Sequence, residues 1–158
     1  MEIPLPTRRA TIRLARSLAP GLRVGDLLVL SGPLGSGKTF FVRALCRALG
    51  VPESVPVTSP SFTLVRPYAE GRIPIVHADL YRIGASEEVD MLGLRALRAE
   101  ALVLVEWGRP YAAQLGGEAI SVELDTAEGR RRARLDGDDA GRARLVRLVR
   151  PSSFFLPA

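Results

Sequence analysis

Residues 32–39 read GPLGSGKT, which satisfies the spacing G-x-x-x-x-G-K-[ST]. That string works only between a buried strand and the first turn of a helix. Its glycines must let backbone N–H groups converge on a polyphosphate while the helix N-terminus supplies a favourable dipole. Both flanks fit. Residues 25–32, GDLLVLSG, are an apolar run between glycines that suits a buried parallel strand. Residues 39–50, TFFVRALCRALG, carry a helical pattern that stops on a glycine. Of 22 basic residues in the chain, Lys38 alone is a lysine. A compact ammonium on a flexible stem enters an enclosed loop where the planar fork of arginine would not fit equally well. Lys38 therefore reads as the cation for the β- and γ-phosphates and Thr39 as a hydroxyl ligand for Mg²⁺. The competing reading is a glycine-rich turn that matches by chance.

The rest of the chain alternates strands and helices. Thr7 is placed to cap a helix over residues 7–20, on which Ala10, Leu14, Ala15 and Leu18 make one apolar stripe. Residues 57–68 read as a loop entering a strand, and residues 73–81 as an apolar strand ending near Asp79. Residues 86–98 open on Ser86 and two acids and are expected to be one helix. Residues 101–107, ALVLVEW, form a strand ending at Glu106, and residues 119–125 and 130–137 alternate as an antiparallel hairpin. A helix over residues 140–149 closes the pattern. The expected fold is α/β: a P-loop NTPase-like, mostly parallel sheet flanked by helices, with antiparallel strands added near the C-terminus. Residues 1–150 are expected to be a single nucleotide-binding domain and residues 151–158 a tail.

No apolar run reaches the roughly 18 residues of a membrane helix, and the N-terminus has no apolar signal region. Cys46 is the only cysteine, so no internal disulfide can form. A reducing, cytoplasmic location without a membrane partner is expected. Cys46 falls between Leu45 and Leu49 on a helix and reads as a packed apolar residue. The net charge of +5 and pI near 10.3 leave room for an anionic partner. The chain also lacks asparagine and has one glutamine, Gln114, so a thermophilic or GC-rich origin accounts for the arginines equally well.

Two acids end apolar strands in the same manner. Glu106 closes LVLVE, where a buried strand delivers a carboxylate to the sheet edge beside a phosphate site. Asp79 closes the strand before it in the chain. Both could serve a metal, directly or through water, or simply leave the core for solvent. His77, the only histidine, lies two residues before Asp79 and so on the same strand face; it reads as structural or as catalytic.

Five segments in order carry a resemblance to a known family: GPLGSGKT, then TSPSFTLV (residues 58–65), HADLYR (77–82), EEVDMLGL (87–94) and VEW (105–107). The chain resembles the TsaE (YjeE) family, small bacterial P-loop ATPases needed to make threonylcarbamoyladenosine (t6A) at position 37 of tRNA. The likeness runs from residue 3 to residue 130. It implies an ATP- and Mg²⁺-dependent ATPase, weak alone, that acts on a complex with TsaD and TsaB and touches tRNA indirectly. It further implies that Lys38 and the backbone of Leu34, Gly35, Ser36, Gly37 and Thr39 hold the phosphates. Thr39 and Glu106 would hold Mg²⁺, and Asp79 would orient a water or the nucleotide. Thr58 and Ser59 fall in a switch-like loop, and Arg8 and Gly129 fall in segments that flank the adenine. Tyr81 and Trp107 match near-site aromatics, with core packing an equal reading. The chain departs from the family in Ala78, where a larger residue is usual, and in a more basic GRRRAR. The latter leaves open a tRNA contact by Arg130, Arg131, Arg132 and Arg134, against a solvated strand face.

Two other readings stay open from the residues alone. A small-molecule P-loop kinase would need an acceptor pocket and usually an arginine-bearing lid, and no insertion after the loop helix looks like one. A binding module that uses hydrolysis only as a timer overlaps with the family role. A GTPase is disfavoured, since an N-K-x-D motif needs an asparagine and a second lysine that the chain does not have.

Overall fold

A computed structural model describes residues 1–117, 119–127 and 129–148. The expected tail at 151–158 lies outside these. Seven strands form one sheet in the order β1-β7-β6-β2-β5-β4-β3. The strands are β1 (Glu2–Pro4), β2 (Leu27–Ser31), β3 (Val65–Tyr68), β4 (Ile75–Asp79), β5 (Leu102–Glu106), β6 (Ala119–Ala127) and β7 (Arg130–Gly137). The centre, β6-β2-β5-β4, is parallel throughout. Antiparallel strands flank it on both sides: β7 and β1 beyond β6, and β3 beyond β4. The C-terminal hairpin was expected; the antiparallel pairing of β3 and the short β1 were not.

Alternation along each central strand sends side chains to two cores. Leu28, Leu30, Leu104 and Val122 face the layer of α1 (Arg8–Leu18), α2 (Lys38–Ala48) and α5 (Asp139–Leu148). Leu27, Val29, Val103 and Val105 face α3 (Ser86–Met91) and α4 (Leu94–Leu97) through Val89 and Leu94. Burial on both faces explains why these strands read as continuous apolar runs. On α1, Ala10, Leu14, Ala15 and Leu18 are all buried, and the Thr7 hydroxyl accepts the Ala10 N–H at 3.2 Å, as the sequence predicts.

The helix expected over residues 86–98 is two helices. Gly93 sits at φ +66° and ends α3, so α4 starts in a new direction. Ser86 is the first helical residue rather than the cap. The cap is made from the other side: Glu88 accepts the N–H groups of Gly84 and Ala85 at 3.2 and 3.1 Å.

Cys46 is fully buried on α2, and burial pushes its thiol up to about 12. A thiol held neutral and out of reach is inert. The native protein should give no reaction with a disulfide reagent at pH 8 and one equivalent after unfolding. Stoichiometric labelling of the folded protein would contradict this packing.

Candidate nucleotide site

The parallel centre aims three chain segments at one edge. Strand β2 runs into the phosphate loop, and β4 and β5 end beside it with Asp79 and Glu106 as direct register partners. Gly32 starts the loop at φ +132°, and a Cβ there would stand 2.0 Å from the Leu124 carbonyl oxygen, so only glycine lets the loop leave the sheet this close to β6. No side chain caps the N-terminus of α2, whose cap position is Gly37. Its first-turn N–H groups and the positive end of the helix dipole are thus left for an anion.

Lys38 folds back into this loop. Its ammonium donates to the carbonyls of Gly32 (2.8 Å) and Pro33 (2.9 Å), and stands 3.4 Å from Ser36 Oγ. It also lies 4.2 Å from the centroid of the Trp107 ring. Burial holds its pKa below the ordinary lysine value, opposed by the charges of Glu106 and Asp79. Trp107 takes φ +61°, a backbone conformation that costs a bulky residue about 1–2 kcal/mol. Its N–H bonds the Leu30 carbonyl at 2.9 Å, and its ring meets Tyr81 at 4.9 Å. Both aromatics line the cleft, which removes core packing as the account of Tyr81, exposed at its mouth.

The Thr39 hydroxyl donates to the Glu106 carboxylate, with 2.9 and 3.0 Å to its two oxygens. His77 reaches the same carboxylate, Nε2 to Oε1 at 2.9 Å. An ionised carboxylate only accepts, so Nε2 carries the proton. His77 is completely buried and its Nδ1 has no partner, so its one side-chain hydrogen bond is to Glu106. Asp79 is held at both oxygens: Ser59 Oγ donates to one and the Tyr81 N–H to the other at 3.0 Å. Ser61 stands 3.0 Å from Ser59, tying the residue 58–65 segment to Asp79.

These groups surround a cleft of about 440 Å³ lined by Gly35, Lys38, Thr39, Ser59, Asp79 and Glu106, among others. Leu34 and Gly37 also line it, and Ser36 lines a smaller one of about 150 Å³ behind the loop. Arg8 lines that smaller cleft and lies 5.6 Å over the Phe40 ring, brought to the loop by the pairing of β1 with β7. Two expected residues are not among the lining of either cleft. Thr58 is exposed, and Gly129 sits in the β6–β7 turn. Two residues lining the larger cleft were not singled out from sequence: Phe40 and Arg82, whose guanidinium lies 4.6 Å over the Phe62 ring. Arg82 falls within the HADLYR segment, the one signal that could have marked it. The row at 130–134 is divided: Arg132 pairs with Glu2 and Asp125, Arg134 with Glu2, and Arg131 lines the smaller cleft. A groove of about 450 Å³ along β1, β6 and β7 holds none of the loop residues.

Residues 5–134 match the sequence family described as threonylcarbamoyl adenosine biosynthesis protein TsaE. The chain belongs to the TsaE family. Among the relatives, the Streptomyces coelicolor tRNA threonylcarbamoyladenosine biosynthesis protein TsaE is 40% identical over 119 residues, 73% of this chain and 79% of that protein. The Rickettsia felis TsaE is 30% identical over 151 residues, covering 96% and 88%. The crystal structure of Bacillus subtilis YdiB superposes with a TM-score of 0.73 at 25% identity, covering 94% of this chain and 93% of that one. The TsaE family places the chain in tRNA threonylcarbamoyladenosine biosynthesis. No helix among the described residues is long and apolar enough to cross a membrane.

Proposed function

We propose that the chain is an ATP-binding, Mg²⁺-dependent ATPase that serves t6A formation at position 37 of tRNA by acting on a TsaD–TsaB complex. The observation that carries the reading is Lys38: a buried ammonium bonded to the carbonyls of its own loop, inside an uncapped helix N-terminus. An ammonium that sits on loop carbonyls can exchange them for β- and γ-phosphate oxygens with little movement. The donor chemistry of Thr39 and Glu106 fits magnesium, which takes one or two protein oxygens and leaves its other positions to phosphates and water. When bound, the ion would offset charge that develops on the phosphates. Glu106 would keep its charge toward that position while His77 fixes one of its oxygens. Asp79, with both oxygens anchored, would orient the nucleotide or a water. Loop groups at Leu34, Gly35, Ser36, Gly37 and Thr39 would supply N–H donors, with Arg8 and Gly129 toward the base.

The chain's own residues leave a gap that a partner would fill. Arg82, exposed at the cleft, is stacked on the exposed Phe62, and Ser59 spends its hydroxyl on Asp79. Ordering of the Thr58–Ser61 segment on a partner would complete the site, an effect worth roughly 10³- to 10⁵-fold in other P-loop proteins. Thr58→Ala/Ser59→Ala should therefore lose most of the TsaD–TsaB stimulation of ATP turnover and keep nucleotide affinity within a few-fold. Steady-state ATPase rates with and without partners, beside equilibrium ATP binding, read the two effects apart. Equal parent rates with and without partners would overturn the partner role.

A further inference from the structure

Charge is distributed unevenly along the chain. Residues 3–52 contain eight basic residues and one acid, Asp26, whereas the remaining residues contain 14 basic and 16 acidic. The positive excess of the whole protein thus comes from the segment that builds α1, β2, the phosphate loop and α2. Such an asymmetry is the footprint of a polyanion partner. Both helices lie on the same face of the sheet.

Arg9, Arg13 and Arg16 follow one another at helical spacing on the exposed side of α1, spanning about 10 Å. None of the three makes an ion pair among the described residues. On β7 and α5, by contrast, Arg132, Arg134, Arg142 and Arg144 each face an acid. The first turn of α1 holds Arg8 and Arg9 and no acid, against the sense of the helix dipole. Arg16 continues onto a groove of about 440 Å³ between the helices, where Arg43 joins it above Ile12, Phe40 and Ala44; the one acid lining it, Glu53, is paired with Arg47 at 3.3 Å. Arg43 is held there by donating Nε–H to the Val57 carbonyl at 3.0 Å.

We propose that this face of α1 and α2 docks the phosphodiester backbone of a folded RNA through Arg9, Arg13, Arg16 and Arg43. RNA is favoured over an acidic protein because neither helix carries a large exposed apolar side chain: those on the described surface are Met1, Val24, Leu34, Phe62, Tyr81, Met91 and Val146. A protein interface needs apolar or aromatic anchors at its centre, whereas phosphates need cations. Guanidinium pairs with phosphate in a bidentate manner; Arg9, Arg13 and Arg16 have no internal bond among the described residues to lose on engaging it, and Arg43 spends only its Nε–H on Val57. The contact carries no base readout, so it is expected to be salt-dependent and tolerant of sequence.

The test is fluorescence-anisotropy titration of an unmodified tRNA transcript across a series of salt concentrations, without ATP. The variant Arg9→Gln/Arg13→Gln/Arg16→Gln should lose about tenfold or more in affinity, and its log–log salt slope should flatten by about 2 to 3. The control Arg95→Gln/Arg109→Gln/Arg147→Gln removes the same charge from exposed arginines elsewhere and should bind nearly as the parent does. ATP affinity and thermal unfolding, measured alongside, should be unchanged in both. Equal losses in the two variants would mean that net charge alone is at work and would overturn the proposal. So would a parent that does not bind tRNA at low salt, or an α1 variant whose only loss is binding to TsaD–TsaB. None of these outcomes bears on ATP hydrolysis, which is assayed separately.

Discussion

Lys38→Ala should abolish tight ATP binding. The ammonium already makes two short bonds within the loop, to Gly32 O and Pro33 O, from a position only 5% exposed. Transferred to phosphate oxygens, two charge-assisted bonds are worth about 3 kcal/mol or more, which is roughly 10²-fold in affinity. Calorimetric titration with Mg·ATP should show that loss while thermal unfolding stays close to the parent. Lys38→Arg should also be badly impaired, for a reason of shape. The cavity is closed by the Trp107 ring on one side and the loop carbonyls on the other, and a planar fork cannot occupy both limits at once. An arginine variant with the parent's hydrolysis rate would mean that the lone lysine owes nothing to this geometry.

Glu106→Gln should keep the fold and lose Mg²⁺-dependent hydrolysis. Its carboxylate accepts from the Thr39 hydroxyl and from His77 Nε2 at once. An amide of the same size retains one acceptor, turns a donor toward one of those partners, and removes the charge that balances a cation. Turnover should fall by about 10²-fold or more. A magnesium titration of the variant should be nearly flat. If it overlays that of the parent, Glu106 is not a metal-site residue and the pairing with Thr39 is only a helix-to-strand contact.

Both expectations rest on residues that are legible in the sequence. The loop, its flanking strand and helix, and the two strand-terminal acids follow from apolar runs and punctuation, which are local. What stayed hidden depends on geometry between distant segments. The bond from His77 to Glu106 arises because β4 and β5 run parallel in one register, which no spacing within either strand reveals. Trp107 covers Lys38 because its backbone is left-handed, a conformation uncommon for a bulky residue and without a sequence mark. Strand β1 is three residues long and contains a proline, so it has no pattern of its own and exists by pairing with β7. Gly93 is the opposite case: a glycine inside a helical pattern was visible, and its left-handed conformation ends α3 early. The arginines at 130–134 looked uniform along the chain, but the sheet sets Arg132 and Arg134 beside acids of β1 and β6.

The family assignment and the loop geometry meet in one measurement: t6A formed on tRNA by reconstituted TsaD and TsaB, over many turnovers, with the parent chain or with Lys38→Ala. If nucleotide chemistry at this loop is what the pathway draws on, the parent sustains t6A formation and the variant does not, although both are folded. Equal product from parent and variant would contradict the account, because the chain would then serve the pathway without the phosphate site around which it is built.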